Sequence, residues 1–154
     1  VEEPEMLSLL DKVMLLKAQD LFSCLQLEEL GLLARVARLE IFPDTTVLMH
    51  EGTPNSKLYM IIKGHIELSA HSSNGVNATI AVLGAGEAVG DSTVFDDAVS
   101  PVTAEVILGE AAFLTIDGED IQRLCNLYPG IATGFIKAMS TRIRKLEQMV
   151  THLA

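Results

Sequence analysis

The sequence predicts an α+β domain, an eight-stranded antiparallel β-roll (jelly roll) with N-terminal helices before it and a long C-terminal helix after it. Three observations support this prediction. Apolar residues recur at helical spacing before residue 39, and eight short β-rich segments separated by turn residues follow. The chain then closes on apolar residues that alternate three- and four-residue steps. We therefore divide the chain into an N-terminal helical segment (1–38), the β-roll (39–117) and C-terminal helices (118–154).

The bulk composition restricts the classes of protein to which the chain can belong. Its 154 residues, 49% of them hydrophobic, suffice for one domain with its own core. A net charge of −10 disfavours binding to nucleic acid, which depends on Lys and Arg. The sequence contains no apolar run of the ~20 residues that a membrane span needs. Cys24 and Cys125 form no CxxC pair, which is typical of reduced, buried thiols in a cytoplasmic protein.

Two packing helices are predicted in the N-terminal segment. Residues 6–18 predict a first helix whose apolar face comprises Met6, Leu9, Leu10, Val13 and Met14. A second helix is predicted over Leu27–Arg38, with an inward face of Leu27, Leu30, Leu33, Ala34 and Ala37. A short apolar connector between them is expected to dock on the core.

The β-roll is predicted from segments rich in Val, Ile, Leu, Tyr and Phe between turn residues. The eight segments are 39–42, 46–49, 57–63, 65–71, 77–83, 87–89, 102–108 and 111–116. In segment 65–71, Ile66, Leu68 and Ala70 alternate with polar residues, so one face of this strand is expected to be wet.

Two helices are predicted after the roll. Asp117 is placed to cap the first, which begins near Gly118 and directs Ile121, Leu124 and Leu127 inward. Pro129 opens the second, because proline is well tolerated at a first helical position. The apolar residues of this last helix are Ile136, Met139, Ile143, Leu146, Val150 and Leu153.

The spacing of the last helix's apolar residues is that of a coiled-coil seam. Two interpretations stay open for its first half, namely packing on its own roll and pairing with a second copy. Beyond Ile143 the helix is expected to outrun the domain, which favours a homodimer. Arg142, Arg144 and Lys145 are interpreted as a solvated basic face.

The stretch 83–106 is the predicted binding region. Gly84, Gly86 and Gly90 allow backbone conformations closed to other residues and close approach of a ligand. Asp91, Ser92 and Thr93 form an N-cap-like cluster, which predicts one helical turn with free N–H groups suited to an anion. The alternative is a plain corner of the jelly roll.

The pattern of residues 20–150 resembles the cyclic nucleotide-binding domain superfamily, of the catabolite-activator and kinase-regulatory-subunit type. Its most specific part is the stretch H-E-G…L-Y-M-I-I-K-G-H-I from His50 to Ile66. The other residues that carry the resemblance are Val47, Gly86, Gly90, Asp91 and Thr103. The opening of the chain is also similar to copies of this domain attached to HEAT-repeat or transporter-like membrane proteins.

The resemblance implies a phosphate-binding cassette over residues 84–103. It implies that the acid at Asp91 meets a ribose 2′-hydroxyl and that backbone N–H groups near residues 92–93 meet a cyclic phosphate. The candidate ligand-binding residues are Gly90, Asp91, Ser92, Thr93, Ser100, Val102 and Thr103.

The resemblance also implies a phosphate-binding arginine shortly before Thr103, where this chain has Ser100, Pro101 and Val102. A guanidinium makes two charge-assisted hydrogen bonds to a phosphate, each contributing roughly 1.5–3 kcal/mol. We therefore expect weak or absent binding of cAMP or cGMP and no other cofactor. Lys57 and Lys63 are the cations that could replace the arginine by reaching in from other segments.

We expect a regulatory sensor domain of a larger protein, with a degenerate cassette. The alternative is the sensor half of a catabolite-activator-type transcription regulator that binds cAMP or cGMP, its DNA-binding helix-turn-helix lying outside this chain. We expect no enzyme activity. His50, His65, His71 and His152 lack metal-ligand spacing, and Ser92 has no histidine near it in sequence.

Overall fold

The computed structural model describes residues 7–153, so Met6 and Ala154 lie outside the described residues. The N-terminal part comprises α1 (Leu9–Lys17), a 3-10 turn (Asp20–Phe22) and α2 (Leu27–Val36). Six strands follow, and the chain ends in α3 (Gly118–Leu127) and α4 (Pro129–Leu153). Helices thus precede and follow the strands in the sequence, and the predicted fold class is confirmed.

The eight predicted segments form six strands. They are β1 (Arg38–Phe42), β2 (Val47–Met49), β3 (Lys57–His71), β4 (Asn77–Leu83), β5 (Ala88–Val89) and β6 (Thr103–Asp117). Two predicted turns are bends inside β3 and β6. In β3, Gly64 takes a φ of +98° where the pairing with β6 shifts register. In β6, Leu108 and Gly109 take φ values of +62° and +107°.

The pairing of β3 with β6 is the spine of the roll. The two strands run antiparallel from Lys57 opposite Asp117 to Ser69 opposite Thr103. β1 and β2 pair with β6, whereas β4 and β5 pair with β3. Ile66 is buried as predicted, but Ser69 on the expected wet face is buried as well.

Side chains alternate along β3 between two apolar clusters, because successive residues of a strand point to opposite faces. Leu58 and Met60 belong to the cluster shared with the helices, while Tyr59 and Ile61 belong to the interior of the roll. β3 therefore separates a helix-facing core from a roll-interior core, and residues 58–61 are buried on both faces.

The predicted inward faces of three helices are wrong in part. Leu9, Leu10 and Met14 of α1 are exposed, whereas Val13 is buried as predicted and is joined by Leu16. Apolar residues surround α1, so their spacing does not identify the buried side. Leu27 and Leu127 are exposed because they are terminal residues of α2 and α3. The second helix ends at Val36 because Arg38 already pairs in β1.

Three smaller predictions concern a cap, the cysteines and membrane spans. Asp117 is the N-cap of α3 but makes no side-chain capping bond, and its carboxylate lies 4.0 Å from Arg38. The prediction of two buried thiols is wrong for Cys24, which is exposed, while Cys125 is half-buried. Burial raises the pKa of the Cys125 thiol. Within residues 7–153, no helix has the length and apolarity that crossing a membrane requires.

Candidate functional site

The turn that begins at Gly90 packs against the first residues of β3. Gly90 has a φ of +91°, and a Cβ there would overlap the carbonyl oxygen of Lys57 and lie 2.9 Å from Asn55 Nδ2. The Val94 amide donates to the Gly90 carbonyl at 3.0 Å, closing one helical turn. The sequence predicts that a ligand approaches the main chain at Gly90. In the structure, the group that lies against Gly90 is the start of β3, and this contact requires a glycine.

The Thr93 side chain is buried and joins the turn that begins at Gly90 to the residues before β3. Its hydroxyl accepts a hydrogen bond from Asn55 Nδ2 at 3.0 Å, and Asn55 also donates to the Lys57 carbonyl at 2.8 Å. Beyond the single turn that the Val94 amide closes, residues 91–97 do not continue into a helix, and Ser92 is exposed. The predicted N-cap cluster is thus wrong for Thr93. Sequence reasoning did not identify Asn55, whose only signal was a turn-forming neighbourhood.

Asp91 forms an ion pair with Arg142 of α4. Its Oδ2 lies 2.6 Å from Arg142 Nη1, and both side chains are partly exposed. The interpretation of Arg142 as a solvated face residue is therefore wrong. The ion pair links the turn over residues 90–94, which we call the cassette turn, to the C-terminal helix across 51 residues of sequence.

Ser100 and Thr103 are engaged on a different part of the roll. Ser100 is buried, and its hydroxyl donates to the Val102 carbonyl at 2.6 Å. The Thr103 hydroxyl accepts from the backbone amide of Glu51 at 3.0 Å. Val102 is half-buried and offers no polar side-chain group. The second half of the cassette is therefore anchored to the loop after β2, and its hydroxyls already have protein partners.

Glu51 pairs with His71 at the far end of β3. The Glu51 carboxylate accepts from the His71 backbone amide and lies 3.0 Å from the His71 Nδ1. The His71 side-chain hydrogen bond, followed by the backbone bond, lowers the pKa of Glu51 below its ordinary value. This pair joins the loop that holds Thr103 to the end of a central strand.

Replacing His71 with Ala is expected to raise the pKa of Glu51 part of the way to its ordinary value, because the backbone hydrogen bond remains. A carboxylate with a lowered folded pKa stabilises the fold above its unfolded pKa, and that stabilisation is lost as pH falls through the folded pKa. His71→Ala should therefore reduce the amount by which Glu51 stabilises the fold above its unfolded pKa. Carbon-detected NMR titration of Glu51 measures the shift, with His65→Ala as the control. An unchanged pKa of Glu51 would contradict the assignment.

The cations proposed to replace the missing arginine lie elsewhere. Lys57 Nζ is 2.7 Å from the Glu40 carboxylate and stands over the Tyr59 ring, so it does not serve the cassette. Burial raises the pKa of Tyr59, and the charges of Glu40 and Asp117 add to the effect. Lys63 is exposed on β3. Within residues 7–153, the cation in contact with a cassette side chain is Arg142.

A cavity of about 270 Å³ lies beside the ion pair. It is bounded by the 3-10 turn, the helix-facing side of β3, the loop at residues 83–88 and α4. The carboxylate of Glu87 accepts from the Gly84 amide at 2.8 Å and so holds that loop closed. We call this space the outer cavity, because Leu58 and Met60 at its floor belong to the helix-facing core.

The seam predicted on α4 is largely uncovered in the single chain. Ile136, Ile143, Leu146, Val150 and Leu153 are exposed, while Met139 packs against the helix-facing core. Every residue from 143 to 153 is exposed. The prediction that the last helix outruns its own domain beyond Ile143 is therefore correct.

Comparison with known proteins agrees with this architecture. The cyclic AMP receptor protein of Thermus thermophilus is 24% identical over 132 residues, covering 86% of this chain and 61% of that protein. The anaerobic regulatory protein of Bacillus subtilis is 26% identical over 108 residues, covering 70% of this chain and 45% of that protein. This chain thus spans less than two thirds of either relative.

A solved structure and a family model define the relationship further. The N-terminal domain of a transcriptional regulator from Streptomyces coelicolor superimposes with a TM-score of 0.76 at 26% identity. The match covers 88% of this chain and 94% of that one. The family model described as cyclic nucleotide-binding domain matches residues 39–128, more than half of the sequence. With its β-roll, glycine-marked cassette and long final helix, the chain belongs to the cyclic nucleotide-binding domain family.

Proposed function

We propose that this chain is the sensor domain of a catabolite-activator-type transcription regulator and that its cassette passes a change of state to α4. The observation that carries the proposal is the Asp91–Arg142 ion pair, which connects the cassette turn to that helix. A ligand moves such a helix only if it binds the two helix positions with different affinity. A contact between the two elements that a ligand can alter provides that difference.

The relatives support the regulator as the whole protein. Both are regulators or receptors by name, and each extends well beyond the part that this chain covers. We therefore favour a transcription regulator over the HEAT-repeat or transporter context, and we place it in the cytoplasm without enzyme activity. The full gene tests this choice. A helix-turn-helix segment after Ala154 supports it, whereas a transporter segment contradicts it.

We further propose that the cassette binds cAMP or cGMP weakly. The support is that Ser100 and Thr103 already have hydrogen-bond partners and that Arg142 is paired with Asp91. The carboxylates of Asp91, Asp96 and Asp97 add negative charge near the place of a phosphate. Losing a bidentate guanidinium contact lowers affinity by about two orders of magnitude, at ~1.4 kcal/mol per tenfold.

Thermal unfolding with 1 mM cAMP or cGMP tests this proposal. A ligand present at a concentration equal to its Kd stabilises a protein by about 0.4 kcal/mol, which corresponds to about 1 °C in Tm for a domain of this size. We expect 1 mM cAMP or cGMP to raise the Tm by no more than that. A shift of several degrees would overturn weak binding. It would favour the second candidate, a sensor that binds cAMP or cGMP, which the family model and the Thermus relative's name support.

We also propose that the chain forms a homodimer through α4. The exposed apolar seam of this helix continues beyond the domain, and apolar residues at this spacing are typical of helices that pack against a second helix. In a dimer, a change at the cassette of one copy would reach the other through the paired helices.

A further inference from the structure

The predicted seam of α4 has the residue types of a two-stranded, parallel coiled coil. In heptad notation, its a positions are Ile136, Ile143 and Val150, and its d positions are Met139, Leu146 and Leu153. β-branched residues at a, combined with leucine at d, favour two parallel helices. Five of these six side chains are exposed in the single chain. The seam is therefore suited to the same helix of a second copy.

Two residues of opposite charge flank this seam. Over residues 136–153, the e positions are Ser140 and Glu147, and the g positions are Arg142 and Met149. In a parallel pair, the g residue of one helix meets the e residue of the following heptad on the other helix, and Glu147 has that position relative to Arg142. In an antiparallel pair, e meets e and g meets g, so neither charge would meet its opposite. The charge pattern therefore favours the parallel arrangement.

Both charged groups can take a further partner in the single chain. The Arg142 guanidinium contacts Asp91 through Nη1 alone, and its other N–H groups remain able to donate. The Arg142 side chain is 41% exposed. Glu147 is exposed, and within residues 7–153 its carboxylate lies at ion-pair distance from no cation. A carboxylate from a second copy can therefore join Asp91 on the same guanidinium.

A groove beside the seam brings a second helix close to this guanidinium. The groove has a volume of about 370 Å³. Asp91 and Phe95 line it together with Arg142, Ile143 and Leu146 of α4. A helix that covers Ile143 and Leu146 therefore also lies beside the Asp91–Arg142 ion pair, which is where the flanking charge of a parallel partner has to be.

We propose that Arg142 bridges Asp91 of its own cassette turn and the partner's Glu147 in a parallel homodimer. The inference rests on the proposed homodimer and adds to it the direction of the helices and the residue that the second copy contributes. A two-fold dimer holds this bridge twice. The cassette turn of each copy is thereby connected to the helices of both copies, so a change at Asp91 also changes the stability of the dimer.

Glu147→Lys tests the bridge, because the specific contact and the net charge predict opposite results. The chain has a net charge of −10, so adding positive charge reduces the general repulsion between two copies. In the bridge, however, the substitution places a lysine opposite Arg142 on each side of the seam. We expect the association constant, measured by sedimentation equilibrium at physiological ionic strength, to fall about tenfold. Gln148→Lys is the matched control on the opposite side of α4, and it should not weaken association.

Two further variants test the partner of Glu147 and the direction of the helices. In a chain that carries Arg142→Gln, adding Glu147→Lys should change association by less than about twofold, because the facing charge is gone. Leu153→Cys, in a chain whose Cys24 and Cys125 are replaced by Ser, places the two introduced thiols next to each other only in a parallel pair. Oxidation should then link the dimer through a disulfide.

The outcomes separate the bridge from the homodimer. A dimeric chain in which Glu147→Lys and Gln148→Lys have equal association constants overturns the bridge and leaves the homodimer standing. A tenfold loss from Glu147→Lys that persists beside Arg142→Gln overturns Arg142 as the partner of Glu147. A dimer that Leu153→Cys does not link overturns the parallel arrangement. An unaltered chain that is monomeric at about 300 µM overturns the homodimer and the bridge together.

Discussion

Gly90→Ala is expected to lower the free energy of unfolding by about 3 kcal/mol, whereas Gly86→Ala lowers it by about 1 kcal/mol. The two glycines have nearly the same backbone conformation, with φ values of +91° and +90°. Both substitutions therefore carry a similar cost of placing an L-residue at positive φ. They differ in space, because a Cβ at Gly90 overlaps the Lys57 carbonyl while nothing lies within 4 Å of one at Gly86.

Urea unfolding followed by circular dichroism, with linear extrapolation to water, measures both changes. Gly86→Ala serves as the matched control for backbone strain. Losses that agree to within about 0.5 kcal/mol would contradict a close approach of the cassette turn to β3. If Gly90→Ala does not fold while Gly86→Ala does, this result also supports the close approach of the cassette turn to β3.

Ile143→Asp is expected to convert a dimer of this chain into monomers. Ile143 is exposed in the single chain and stands at the middle of the predicted seam. A two-fold dimer uses the same surface twice, so the substitution introduces two carboxylates into one interface. Burying an unpaired charge costs 2–5 kcal/mol or more, and we expect association to weaken at least a hundredfold.

Sedimentation equilibrium between about 1 and about 300 µM, a range of about two and a half decades, measures the association constant. Gln148→Asp is the control, because residue 148 lies on the opposite side of α4 and is exposed in the same half of the helix. It adds the same charge and should leave association unchanged. A monomeric unaltered chain at the highest concentration contradicts the proposed dimer, as does a dimer that Ile143→Asp leaves intact.

The strands were predictable because their ends are marked locally. Turn residues delimit each segment, and each of the eight predicted segments corresponds to one of the six strands to within one residue at its start. The sequence could not show that Gly64 and Gly109 bend continuous strands instead of ending them. That outcome depends on the pairing of β3 with β6, whose residues are far apart in the chain. The buried side of α1 was hidden for another reason, since apolar residues surround that helix.

The candidate site was predictable only where backbone geometry decides it. Gly90 was identified because a positive φ and a close approach require glycine. Arg142 was missed because its partner Asp91 lies 51 residues away, and nothing in a basic cluster on a helix indicates which carboxylate it meets. Thr103 is predicted to bind a ligand, and its hydroxyl accepts a hydrogen bond from the Glu51 amide, a contact that arises from packing between distant parts of the chain.

The pairing of β1 and β3 with β6 also governs how the chain reaches its fold. Arg38 and Thr115, which pair across β1 and β6, are 77 residues apart, and β6 supplies Leu114 and Ile116 to the helix-facing core. Proteins dominated by such distant pairings fold in milliseconds to seconds and not in microseconds. During synthesis, the apolar sides of α1, α2 and β3 consequently cannot be fully buried until β6 has been made. A nascent chain that ends before Thr103 lacks the strand that contributes to both apolar clusters, and we expect this intermediate to be the one most prone to aggregation.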